Sequence, residues 1–151
     1  MVRKLLAAVT ATAIITFASM AWAQSQFGTA AEAKALLEKA VAAVKADKGK
    51  ALADFNNPAG GFRDRDLYVF CSGSDGIITA HPTLKGQQIK DLVDKTGKRL
   101  GEAILAAAKE GVYNLVDYMW PRPGADTTPV KKFTYVTMVG DQVCAVGYYE
   151  S

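Results

Sequence analysis

The chain has 151 residues, with 18 Lys and Arg against 15 Asp and Glu, one histidine and two cysteines, for a formal charge of +3. That length suits one domain with one core. The near-balanced charge forms no basic stripe, so it leaves no electrostatic footprint for nucleic acid or a lipid surface.

In chain order, Arg3 and Lys4 precede an almost unbroken apolar run from Leu5 to Phe17, and Ala21, Trp22 and Ala23 stand before Gln24. This is the plan of a secretory signal peptide with an A-x-A cleavage site. The run is shorter than the ~20 residues a spanning helix needs. Residues 1–23 are expected to be removed and 24–151 to form a single domain, periplasmic or secreted, with no membrane insertion after cleavage. Losing Arg3 and Lys4 lowers the formal charge to +1.

"TAAEAKALLEKAVAAVKADKG" predicts the longest helix. Thr29 and Glu32 have capping-box spacing, and Ala33, Leu36, Leu37, Ala40, Val41 and Val44 form one apolar face. "KALADFNN" adds a turn or two before Pro58. "DLYVFCSG" predicts a strand, "SDG" a hairpin turn at Gly76, and "IITAHP" the returning strand. A polar connection follows, then a second helix over "RLGEAILAAAKEG". "VYNLVDYMW", "KKFTYVTMV" and "QVCAVGYY" predict three closing strands. The pattern predicts an α+β domain: an antiparallel sheet of about five strands with helices on one side.

Strand alternation gives Tyr68 and Phe70 one face, and Asn114, Val116, Tyr118 and Trp120 another. Such aromatics either fill a core or line a concave site for a small polar molecule. His81, the only histidine, has no companion cluster for a metal site. It suits either a hydrogen bond to a ligand carboxylate, especially when protonated, or an ordinary surface or core position. Lys131 and Lys132 are the cations nearest the aromatic wall. They either bind an anion or guard a strand edge. "RDRD" (Arg63 to Asp66) predicts local ion pairs. Phosphate-loop, dinucleotide and G-x-S-x-G patterns are absent, and no nucleophile with a base can be named, so neither an enzyme nor a cofactor is expected. Cys71 and Cys144 form an even pair in an exported chain, which favours a disulfide over two buried thiols.

"FNNPAGGFRDRDLYVFCSGSDGIITAHP", "GQQIKDLVDKTGK", "VDYMWPRPG", "KKFTYV" and "VGYY", in that order, resemble the bacterial single-Cache domains of type 2. The resemblance covers about Thr29 to Tyr149. It implies an extracytoplasmic PAS-like fold: a long N-terminal helix on a five-stranded antiparallel sheet, with a helical connection between strands 2 and 3. It implies a sensory protein binding a small organic acid, here in free-standing exported form. The matching site positions are Tyr68, Phe70, His81, Tyr118, Trp120, Lys132 and Tyr135. Lys132 and Tyr135 have opposite parity, so the resemblance requires a bulge between them or a lysine reaching in from the loop end. The alternative function is a ligand-free module docking a membrane receptor or kinase. The topology makes the first and last strands mid-sheet neighbours, which brings Cys71 near Cys144.

Overall fold

The computed structural model describes residues 25–150; the expected signal peptide lies outside the described residues. Helix α1 (Ala30–Ala46) starts at the Thr29–Glu32 capping box, where the Thr29 hydroxyl and the Glu32 carboxylate each accept a backbone N–H. It does not run on past Asp47. Asp47 is extended, and its carboxylate accepts from Lys50 N, which starts a separate helix α2 (Lys48–Asn56). A side chain that competes with the backbone for hydrogen bonds thus breaks the helix two residues before Gly49.

Among the described residues the sheet has six strands, one more than expected. They are β1 (Arg63–Asp64), β2 (Leu67–Gly73), β3 (Ile78–Ala80), β4 (Asn114–Pro121), β5 (Pro129–Val139) and β6 (Gln142–Tyr149). Their order is β1-β2-β6-β5-β4, with β3 also on β2, and all pairings are antiparallel. The extra strand is the front half of "RDRD", where Arg63 pairs with Tyr68. Helix α3 (Leu100–Ala107) and a short 3-10 turn (Ile89–Asp91) lie between β3 and β4.

Alternation sorts the core into two layers. Leu67, Val69, Cys71, Cys144 and Val146 face α1 and α2, packed with Ala33, Leu37, Ala40 and Phe55. Tyr68, Phe70, Tyr118, Val136 and Ala145 face the other way, against Ile89, Leu100 and Ile104. Helices therefore cover both faces rather than one. The apolar face of α3 requires it: Leu100 and Ile104 would otherwise be bare. Cys71 and Cys144 stand directly opposite on β2 and β6, 4.1 Å apart at Cα, and are bonded. Among the described residues no helix is long and apolar enough to cross a membrane.

Candidate functional site

The site lies on the α3 face, where β2, β6, β5 and β4 present Tyr68, Tyr149, Lys132 and Tyr118. Register aligns them: Lys132 is opposite Tyr118 on one side and Tyr149 on the other. The Lys132 side chain then crosses the sheet to β2. It passes over Gly147, where a Cβ would collide with the Lys132 Cε and the Thr134 Oγ1. Glycine is needed there for close approach rather than for its backbone freedom. Lys132 Nζ donates to the Tyr68 hydroxyl at 2.7 Å and sits over the rings of Tyr68 and Tyr149, 4.1 and 5.0 Å from their centroids.

Lys132 is wholly buried. Burial lowers its pKa to about 7, against a smaller opposing pull from the Asp66 carboxylate. The amine is thus near its titration point at neutral pH. Burial also raises the pKa values of Tyr68 and Tyr118, so both hydroxyls stay protonated. The Thr134 hydroxyl donates to Tyr118, and the Tyr149 hydroxyl donates to the Pro121 carbonyl.

His81 follows β3, and its ring meets Tyr68 edge-on at 5.2 Å. Nδ1 accepts from Thr83 N and Leu84 N, which places the ring proton on Nε2. Burial first, then the positive charges of Lys132 and Arg63, lowers its pKa to about 3. His81 is therefore a neutral N–H donor at physiological pH, not an imidazolium.

Two adjoining cavities share Tyr68, His81 and Trp120. The inner one is also lined by Phe70, Tyr118, Leu84 and Ile104, and holds only about 10 Å³. The outer one holds about 260 Å³, walled by Pro82, Thr83 and the loop from Pro121 to Thr127. The structure thus brings Tyr68, Phe70, His81, Tyr118 and Trp120 together, with Lys132 locked beneath Tyr68. Phe70 and Tyr118 belong to the nearly filled inner floor, not to an open apolar end.

Tyr135 does not join them. β5 pairs with β4 and β6 in regular register from Val130 to Val139, without a bulge. Tyr135 therefore falls on the α1 face, where it packs near Tyr148 at 6.0 Å. Lys131 also points away, toward Asp117 and the Phe133 ring.

Two participants were not singled out from the sequence: Tyr149, which covers Lys132, and Arg122, which lines the outer cavity. A third, Asp66, was expected only in a local ion pair, and it is buried 3.5 Å from Arg122 Nε. The "RDRD" segment does form ion pairs at Arg65, to Glu32 and Asp64, but its last residue turns inward. Nothing local in the sequence separates Asp66 from Asp64. Among the described residues no group of three or more His, Cys, Asp or Glu is placed to hold a metal.

An antiparallel sheet backed by a long helix, with a small cavity on its opposite face, defines a PAS-like domain. The family model described as "Single Cache domain 2" matches residues 5–147, and the chain belongs to that family of sensor domains. The chain is similar to a methyl-accepting chemotaxis protein from Vibrio parahaemolyticus RIMD 2210633, at 25% identity and a TM-score of 0.64, covering 79% of this chain and 86% of that one. A periplasmic sensor domain of a chemotaxis protein is 26% identical with a TM-score of 0.58, covering 78% and 88%. A Cache chemosensory domain described for carboxylic acid recognition shares the fold at 22% identity and a TM-score of 0.55, covering 78% and 86%. No curated protein matches the chain.

Proposed function

We propose that the chain is an exported sensory protein that binds a short organic carboxylate in the outer cavity and passes its bound state to a membrane receptor or kinase. The observation that carries this reading is the floor of the cavity. A buried lysine amine, with no carboxylate hydrogen-bonded to it among the described residues, stands behind the Tyr68 hydroxyl, and His81 lines the same cavity with its ring proton on Nε2. A buried cation without a full counter-charge is costly, and a ligand carboxylate is the group that relieves it. Tyr68 and His81 would donate to that carboxylate, Lys132 would supply charge through Tyr68, and Trp120 would cover the apolar end. The carboxylic acids recognised by a solved Cache domain of the same fold agree with this chemistry. The basic–apolar–"AWA" start supports export.

Affinity should be modest. A six-atom acid gains at most about 9 kcal/mol, so micromolar binding is the ceiling. Calorimetric titration with acetate, lactate, pyruvate and propionate tests the reading, and binding of none of them overturns it. One observation favours the ligand-free docking module instead: the inner cavity is almost filled. The same titration decides, because a docking module shows no heat with any acid.

A further inference from the structure

Arg122 is the first residue after β4, and its loop walls the outer cavity. Its guanidinium also touches both flanks of the domain. Nη2 donates to the Glu150 carbonyl at 2.9 Å, and Cζ lies 4.2 Å over the Phe27 ring and 5.0 Å over the Tyr149 ring. Nε faces Asp66 Oδ2 at 3.5 Å. The other Asp66 oxygen accepts from Gly28 N at 2.7 Å. One side chain therefore links the cavity wall to the segment before α1 and to the residue after β6.

The Asp66 link is loose. Charge-assisted N–H···O bonds run to about 2.7–2.9 Å. Here the separation is 3.5 Å, and both atoms are buried without a hydrogen-bond partner among the described residues. Asp66 itself is 5% exposed and also faces the pull of Lys132, so a departing guanidinium leaves it buried with only part of its counter-charge. An anion in the cavity offers Arg122 a planar, two-oxygen acceptor that the lone Asp66 oxygen does not.

Resting on the carboxylate reading above, we propose that Arg122 is a latch that couples occupancy of the cavity to the segment before α1. In the structure it holds Asp66, Phe27 and Glu150 together. A bound carboxylate draws the guanidinium toward the cavity, Asp66 turns to water, and its hold on the Gly28 N–H is lost. The two states differ in named contacts, which is what a ligand needs to shift an equilibrium between them.

The test is residue-resolved amide exchange by NMR on the exported protein, with and without propionate at a concentration shown by calorimetry to saturate. In wild type, propionate should speed Gly28 exchange ~fivefold or more, the lower end of typical coupling between sites. Without propionate, Arg122→Gln should already exchange faster at Gly28 than wild type. If Arg122→Gln loses its dispersed amide spectrum, Asp66→Asn replaces it. This variant keeps an acceptor for Gly28 but lacks the charge, and its propionate response should fall below wild type's. Propionate that binds by calorimetry without changing Gly28 exchange overturns the latch and leaves the carboxylate site standing. No binding by calorimetry overturns the site and, with it, the latch's trigger. An unchanged Gly28 rate in ligand-free Arg122→Gln overturns the latch whatever the ligand does.

Discussion

The two faces of the sheet are built from alternate residues of the same strands, yet they hold opposite chemistry. The α1 face carries Leu67, Val69, Cys71, Cys144 and Val146, an apolar cluster cross-linked by the disulfide. The other face carries Tyr68, Phe70, His81, Tyr118 and Lys132, with a charge, several hydroxyls and two cavities. One face is cross-linked by the disulfide, and the other buries the amine of Lys132 and the ring of His81. The difference teaches that a one-residue step along β2 or β6 moves a side chain from the disulfide-linked core to the face that carries the proposed site. It also says which substitutions should separate the two properties.

The largest effect belongs to the α1 face. Cys71→Ala with Cys144→Ala opens a loop of 73 residues. The chain-entropy estimate puts the loss near 4 kcal/mol. Denaturant unfolding should show that loss, while the affinity of the surviving folded protein for propionate should change less than about twofold, within the independence expected of non-contacting sites. A matching loss of affinity would mean that the two faces are not separable.

Lys132→Met comes next, and it should act in the reverse sense. Affinity for the carboxylate should fall about ten- to a hundredfold, or ~1.5–3 kcal/mol. Stability should hold or rise, because an apolar chain of similar length replaces a buried cation. The pH dependence has a definite sign. The folded amine releases its proton near pH 7, whereas the unfolded one keeps it to about 10.4. Between those values the unfolded chain holds more protons, so wild-type stability should climb with pH, and Lys132→Met should lack that component. Carboxylate binding needs the charged amine, so wild-type affinity should drop between pH 6 and pH 9. Melting curves and calorimetry over that range check both slopes.

Much of this contrast is legible in the sequence, and for a clear reason. Period-two alternation assigned Tyr68 with Phe70, and Tyr118 with Trp120, to shared faces, and the mid-sheet meeting of the first and last long strands brought Cys71 to Cys144. The first two are local regularities of single strands, and the third follows from the order of the strands in an antiparallel sheet although 73 residues separate the cysteines. What escaped is non-local. That Lys132 lies flat over Gly147 depends on two strands and a missing Cβ. That Asp66 turns inward while Asp64 stays out depends on Arg122, far along the chain. The emptiness of a cavity is a matter of ring volumes, which no spacing encodes. Parity did contain the warning about Tyr135, since positions 132 and 135 share a face only across a bulge, and β5 has none.

A smaller effect separates His81 from Lys132 on the same face. The folded ring stays neutral to about pH 3, whereas the unfolded ring takes its proton near 6.5. Below 6.5 the unfolded chain therefore holds more protons, and stability should fall as pH drops toward 3. Between pH 6.5 and 5 this amounts to about 1–2 kcal/mol at most. NMR should show the His81 ring unprotonated from pH 8 down to about 4. A ring that titrates near 6.5 would mean that Nδ1 does not keep its two backbone donors.

The smallest expected effects test the division between the faces most directly. Tyr135→Phe removes a hydroxyl on the α1 face, and Lys131→Ala removes a half-exposed amine 3.8 Å from the exposed Asp117 carboxylate. Exposed pairs of that kind contribute about 0–1 kcal/mol, and surface substitutions usually stay within about 0.5 kcal/mol. Neither side chain has a path to the cavity: the sheet stands between Tyr135 and Tyr68, and Lys131 is one step out of phase with Lys132. Both variants should bind propionate within about twofold of wild type, inside the error of additivity for separate sites. A tenfold loss with Tyr135→Phe would place its hydroxyl on the ligand. That would require β5 to slip by one residue against β4 and β6, which would also turn Lys132 out to the α1 face. Measuring both variants beside Lys132→Met therefore checks the register of β5 through binding alone.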